Sequence, residues 1–376
     1  MAVPSFTVGI EEEYLLVDRK TRDLATDPPP EMMQILKHET EGHAFPEFLR
    51  AQVEIATKPC QNIAEAKNEI RALRRQVSEV AKRFDLGLIA SATHPFAYWS
   101  RQQRSSGERY DSLSRDLQAV AHRLLTCGMH VHACLDDDDL RVDMMSQVSY
   151  FLPHILALST SSPFWAGQDT GLKSYRLAVF DEMPRTGLPE TFASWNEYQR
   201  HLEILVQAGL IEDASKMWWD VRPSARFPTL EMRIADVTTY WKDGITIAAV
   251  YLSLLHMLYR LKRENQRWRR YARMLIEENR WRAQRYGADN GMLDIGKGTI
   301  VPYPDLLEEI LALVAVDAEE LGCVEEVLAA RDIVSRGTSA HSQVAVYNTA
   351  KENGATEQDA LNAVVDWLVD ETVRDI

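Results

Sequence analysis

The stretch FTVGIEEEYLLV, residues 6–17, alternates along its length and is rich in strand-forming side chains. A side-chain period of two puts Gly9, Glu11 and Glu13 on one face and Ile10, Glu12 and Tyr14 on the other. Two carboxylates side by side on a strand repel, and a sheet face holds them only where a cation or solvent lies between. The pair is therefore either an exposed acidic strand end or part of a cation site. Substitution of Glu12, on the opposite face, is expected to be mild.

Working outward, FLRAQVEIAT (48–57) alternates again, with Glu54 and Gln52 on one face and Leu49, Ala51, Val53 and Ile55 on the other. LGLIASAT (86–93) and CGMHVHACL (127–135) read as further strands, the second with His130 and His132 on a single face. WWDVRPSARFPTLEMRIADV (218–237) reads as two strands around a proline-bearing turn. TDPPPE (26–31) is a turn. From Asn62 to Phe84 the period becomes helical, with Ile63, Ile70, Leu73, Val77 and Val80 as the buried stripe. Asn62 and Glu65 there form a loose capping box. Helices are also expected around 108–126, 140–158 and 195–208, and from Trp241 onward except for loops around 286–304 and 335–340. No strand leads into a glycine-rich phosphate turn of the P-loop or dinucleotide type. These elements predict one α+β catalytic domain over 1–376, with a sheet-bearing part (1–240) and a mainly helical part (241–376).

A net charge of −14 argues against a general nucleic-acid binder, which needs a basic face. The four cysteines form no C-x-x-C pair, which speaks against a disulfide framework or a structural zinc and fits a reducing cytoplasm. The start, MAVPSFTVG, lacks the basic and apolar blocks of a signal peptide. The apolar run Gly244–Leu261 is short for a membrane span and carries His256, Tyr251, Tyr259 and Arg260, so it reads as a buried helix.

Each chemical candidate has a plain alternative. Glu54 is a solvated strand residue or a ligand. His130 and His132 are a zinc pair, a pair of which one imidazole binds Mg²⁺ or Mn²⁺ among oxygens, or satisfied structural histidines. Glu231 and Arg233 are an exposed ion pair or a site edge. Taken together, carboxylates from several strands plus an imidazole make a hard, oxygen-rich set that favours Mg²⁺ or Mn²⁺. Such a set suits phosphoryl transfer, with Arg222, Arg233 and Arg176 as the cations available to share phosphate charge. Elsewhere the plain readings prevail. Asp136–Asp139 is a solvated loop, the arginine-rich stretch 260–285, except Trp281 and Arg285, a solvated amphipathic helix, and Trp218 and Trp219 packing residues. The tail helix 357–373 is core or a subunit contact in a homodimer.

GIEEEYLLVD (9–18), ATHPFAYW (92–99), CGMHVH (127–132), SSPFWAGQDTGLKSYR (161–176), PRTGLP (184–189), WWDVRPS (218–224) and TLEMRIAD (229–236) resemble the type 2 glutamate–cysteine ligase family. The branch they most resemble is the bacterial YbdK-type carboxylate–amine ligases, and the likeness runs in order over most of the chain. It implies a glutamine-synthetase-like fold, a curved and mostly antiparallel sheet with helices on its outer face. It also implies an enzyme that uses ATP and Mg²⁺ (or Mn²⁺) to join a carboxylate to an amine through an acyl phosphate, glutamate and cysteine being the first substrates to consider. By the same resemblance, Glu11, Glu13, Glu54, His130 and Glu231 fall on metal positions. Arg222 and Arg233 fall on catalytic, phosphate-contacting positions, Arg176 is a further ATP contact, and Trp281 and Arg285 match a substrate-side segment. One departure stands out: relatives tend to read G-T-G-A-D-R-Q where this chain has Gly337-Thr338-Ser339-Ala340-His341-Ser342-Gln343. Loss of that arginine at Ser342 implies weak glutamate–cysteine ligase activity. The alternatives are another acid and amine pair, a protein terminus, or a retired nucleotide or amino-acid sensor.

Overall fold

The computed structural model describes residues 3–107, 110, 115 and 117–376. Seven strands make the main sheet: β1 (Val8–Asp18), β2 (Ala44–Pro46), β3 (Gln52–Ala56), β4 (Leu86–Ile89), β5 (Met129–Cys134), β6 (Val221–Pro223) and β7 (Thr229–Met232). Their order is β6-β7-β5-β1-β3-β2, with β4 also paired to β1, and every pairing is antiparallel. The long β1 is the organising strand. Its first half pairs with β5 and its second half with β4, while β3 runs along its other edge.

The alternation in β1 is kept. Helix Ile63–Lys82 and the long helix Trp241–Arg263 cover the sheet on the side of Ile10, Glu12 and Tyr14. The first of these begins as the capping pattern predicts, with Asn62 Oδ1 accepting the Glu65 N–H at 2.9 Å. Glu65 reaches back to Gln61 N–H (2.8 Å), one residue before the reciprocal capping-box donor. The second is long and apolar enough to cross a membrane, but 83% of its apolar window is buried within this fold, so its hydrophobicity serves the core. It passes so close over β1 that a Cβ at Gly244 would lie 3.1 Å from Met129 Sδ and 3.2 Å from Glu12 Oε1. Buried apolar side chains form one cluster running from Phe6 to Leu368.

Some elements differ from expectation for identifiable reasons. The helix expected over 140–158 is two helices, Asp138–Val148 and Leu152–Ser159, because Pro153 has no N–H to continue the first and starts the second. Asp136–Asp139 is exposed, as the solvated reading implies, but only Asp136 and Asp137 are loop: Asp137 caps the first of these helices (2.8 Å to Leu140 N–H), and Asp139, already helical, accepts the Trp195 N–H (2.7 Å). Pro30 opens a helix, Pro30–Glu39, at the position where a missing N–H costs nothing. The loop around 286–304 contains a hairpin of Met292–Asp294 with Thr299–Val301. Of the helix expected at 108–126, Ala119–His122 is helical and much of the remainder lies outside the described residues. The tail helix Glu357–Thr372 packs on β4 and buries Leu361, Val364, Val365 and Leu368, so those residues serve the core.

Candidate active site

Strand register gathers the chemical candidates on the face of the sheet opposite Glu12. Glu11 lies opposite His130, Glu13 opposite Glu54, and Glu231 opposite both His132 and, on its other side, Arg222. Ligand atoms of Glu11, His132 and Glu231 all lie within 4.8 Å of one another. Glu13 and Glu54, cross-strand neighbours of like charge, continue the acidic face toward β3, and Glu13 Oε2 accepts the Gly128 N–H at 2.7 Å.

His132, which the sequence left without a role, has the geometry of a ligand. Its Nδ1 is bonded to Thr229 Oγ1 (2.9 Å), while Nε2 is buried without a hydrogen-bond partner and faces Glu11 Oε1 at 3.3 Å. A ring nitrogen turned toward two carboxylates calls for a proton or a cation between them. A second polar group on the other ring nitrogen is the usual way a ligating imidazole is held. Burial disfavours a proton on this ring, but Glu11 and Glu231 outweigh it and raise its pKa above the ordinary histidine value. His130 differs: its Nδ1 contacts Glu11 Oε2 at 3.0 Å, and burial with the Arg233 charge holds its pKa down at about 4. The converging set thus contains His132 where the family pattern suggested His130, and His130 steadies Glu11. Burial would raise the Glu11 carboxyl, yet the neighbouring His130 and His132 imidazoles prevail and hold it well below the usual carboxylate range.

Glu231 is gripped by two arginines. Arg222 Nε and Nη2 reach its two oxygens at 2.9 and 3.1 Å, and Arg233 Nη1 also donates to it. Burial works against its charge, but the guanidinium charges of Arg233 and Arg222 win, and Glu231 stays ionised. Arg233 Nε is buried with no partner. Donor chemistry therefore fits a hard divalent cation: carboxylates dominate, one imidazole nitrogen is free to bind, and cations flank the set.

Beside this cluster, at the β6–β7 turn, lies a cavity of about 650 Å³ lined by Arg141, Trp195, Tyr198, Arg226 and Phe227, among others. Phe227 connects the two, its ring 6.3 Å from that of His132. Tyr198 is buried, and its hydroxyl has no protein partner.

Three expected positions sit differently. Arg176 lies close enough to the acidic face for its charge to act on Glu13, but its guanidinium is engaged by the main chain. It is buried against Gly128, where a Cβ would come within 2.4 Å of Nη2, and it donates to the carbonyls of Ile234 (3.2 Å) and Arg233 (3.1 Å). Trp281 is 48% exposed, and Arg285 donates to the Gly171 carbonyl and lies over Tyr286. No contact joins either to Glu11 or Glu231. Their neighbour Arg280, which the sequence reading assigned to a solvated helix, is buried between Asp181 and Asp220. Ser342 stands half-buried in the first turn of helix Ser339–Glu352. On either side of it, His341 bonds Asp289 (2.9 Å) and Gln343 bonds the Ser161 carbonyl (2.8 Å).

The profile of glutamate-cysteine ligase family 2 (GCS2) matches residues 7–363. A protein of Rhodospirillum rubrum, provisionally named glutamate–cysteine ligase 2, is 59% identical over 99% of this chain and 97% of its own length. One of the same provisional name from Jannaschia sp. is 50% identical over 97% of this chain and 96% of its own. Among solved structures, the glutamate–cysteine ligase of Francisella tularensis, in complex with AMP, superposes with a TM-score of 0.69 over 98% of this chain and 89% of that one, at 14% identity. A bifunctional glutathione synthetase from Pasteurella multocida gives 0.68 at 14% identity, with 98% of this chain covering 53% of that longer chain. The shared fold accounts for the antiparallel sheet backed by helices. With its acidic face assembled in this register and relatives matched from end to end, the chain is a ligase-class enzyme and belongs to glutamate–cysteine ligase family 2.

Proposed function

We propose that this enzyme is an ATP-dependent carboxylate–amine ligase with weak glutamate–cysteine ligase activity, working through an acyl phosphate. The observation that carries this reading is the convergence of Glu11, His132 and Glu231 beside Arg222 and Arg233. A free carboxylate is a poor acyl donor. Transfer of the γ-phosphoryl group from ATP to a carboxylate oxygen turns that oxygen into a leaving group, and the attacking amine then displaces phosphate at the acyl carbon. No side chain has to act as a nucleophile, so the protein's task is to position and to neutralise charge.

In this reading Glu11, His132 and Glu231, with Glu13 and Glu54 alongside, would hold Mg²⁺ or Mn²⁺, which when bound neutralises charge on phosphate oxygens. Arg233, whose Nε has no partner, would bind the phosphoryl group, and Arg222, whose nitrogens already bond Glu231 and the carbonyls of Ser215 and Met217, would share its charge. The neighbouring cavity is roomy enough for a nucleoside. Trp195 and Phe227 there offer apolar surface to a base, and the Tyr198 hydroxyl offers a polar contact. The AMP bound to the Francisella tularensis protein supports a nucleotide in this fold.

Chelator-treated enzyme is expected to be inactive, with Mg²⁺ or Mn²⁺ but not Zn²⁺ restoring it, because carboxylates outnumber soft ligands. ADP release across a matrix of acids and amines checks this and finds the substrate pair together. Full turnover without metal would end the reading.

Substrate choice supplies a second test. An arginine grips a carboxylate in a way that Ser342 does not, a difference typically worth about 1.5–3 kcal/mol, or roughly ten- to a hundredfold in affinity. The helix carrying Ser342 is tied through Gln343 to the Ser161 loop, which Asp236 also holds (2.9 Å) beneath the site. Ser342→Arg is expected to lower KM for glutamate and leave the metal requirement as it was. An unchanged KM in a folded variant removes Ser342 from substrate selection.

A further inference from the structure

The face described above belongs to the sheet, but its end is fastened from the helical part. Helix Arg273–Tyr286 carries Arg280, whose side chain is buried between two aspartates. Its Nε and Nη2 donate to Asp220 at 2.7 and 3.1 Å, and Nη1 and Nη2 donate to Asp181 at 2.7 and 2.8 Å. Asp220 is itself buried, and immediately precedes the strand that bears Arg222. Its main-chain carbonyl accepts the N–H of Arg233 at 2.8 Å and that of Ile234 at 3.1 Å. On the other side, Arg176 donates to the carbonyls of Arg233 and Ile234. The main chain at Arg233, just past the end of β7, is thus held by Asp220 at its N–H and by Arg176 at its C=O.

We infer that Arg280 is a positioning residue for the ligase reaction: by fixing Asp220 it sets where the Arg233 guanidinium stands, and so couples the helical part of the chain to phosphoryl transfer. This rests on the reading of Arg233 as a phosphate-binding group. A buried arginine bonded to two carboxylates is a costly device for stability alone, since well-packed apolar residues of similar volume serve at least as well. What the fork adds is direction. It locks Asp220 in one orientation, and an error of about 1 Å at a catalytic group can cost on the order of a hundredfold in rate.

The test is a double-mutant cycle of Arg280→Lys and Arg233→Lys, read as kcat and KM for ADP release, with a melting curve for each variant. Lysine keeps the charge at 280 and loses the fork. Arg280→Lys is expected to lower kcat about tenfold with KM for ATP changed less than twofold, and to cost almost nothing further once Arg233 is lysine, because the residue acts through Arg233. A purely structural role would lower kcat by the same factor in both backgrounds, and that result overturns the inference. Should Arg280→Lys not fold, Asp220→Asn removes the same ion pair at constant volume, leaves Arg280 bonded to Asp181, and is read in the same cycle. Failure of the wider reading looks different: wild-type enzyme that releases no ADP with any acid and amine sinks the ligase proposal, and Arg233→Lys with wild-type turnover sinks the role given to Arg233.

Discussion

Glutamine at Glu12 is expected to cost the fold about 3–5 kcal/mol, the range for leaving one partner of a buried ion pair without the other. The alternation of β1 turns Glu12 away from the acidic face, as the sequence implies, and a mild effect on chemistry still follows from that. The expectation of a mild effect altogether does not survive the structure. Glu12 is 1% exposed and meets Arg74, which is fully buried, with Arg74 Nη2 at 2.8 Å from both carboxylate oxygens. The Tyr14 hydroxyl donates to the same carboxylate, and Arg74 also donates to the carbonyls of Thr239 (2.7 Å) and Thr238 (3.1 Å). Glutamine preserves the shape and removes the charge, so Arg74 is left ionised in an apolar interior beneath the helix at Gly244. Against a total stability of about 5–15 kcal/mol for a typical domain, that loss is large. Denaturant titration of Glu12→Gln measures it, and a double variant, Glu12→Gln with Arg74→Met, should recover part of the loss because no buried charge then remains. A loss below about 1 kcal/mol in the single variant would mean that water reaches the pair.

This pair also marks where sequence reading stopped. The period-two alternation of 6–17 and 127–135 was enough to sort Glu11 and Glu13 from Glu12, and to put both histidines on one face, because a strand leaves a side chain only two directions. Local periodicity says nothing about charges that find partners far along the chain. Arg74 lies 62 residues from Glu12, on the polar positions of an amphipathic helix, and Arg280 lies 60 residues from Asp220. Neither arginine's own neighbourhood in the sequence carries a sign of its burial. Which histidine stands across from Glu231 was hidden for another reason. It depends on the β5–β7 register, which sets Glu231 opposite His132, and a register between strands about a hundred residues apart leaves no trace in either strand's own pattern. The family resemblance supplied the list of acidic positions, and the pairing of strands decided which atoms converge.

The complementary result is expected at Glu11, where glutamine should leave the fold standing and slow the reaction about a hundredfold or more. Glu11 lies on the open face, its side chain 25% exposed, and its contacts run to His130 and His132 within the site itself. Glutamine fits the same space and still offers the histidines a carbonyl oxygen, so the melting temperature should move little. What disappears is the negative charge at the centre of the converging set, midway between β5 on one side and the Glu13–Glu54 pair beyond. Removing a single preorganised group that stabilises developing charge typically costs about 10²–10³ in turnover. The change should also weaken Mn²⁺ binding at least tenfold, which a titration of the protein with Mn²⁺ measures without reference to substrate. Glu11→Gln would then be stable and slow, whereas Glu12→Gln would be unstable and, in whatever fraction folds, close to wild type in rate. Two adjacent glutamates with opposite signatures are what a strand with one chemical and one structural face requires. Wild-type turnover and Mn²⁺ affinity in Glu11→Gln would remove this face from the chemistry and return the acidic strand to a solvated edge.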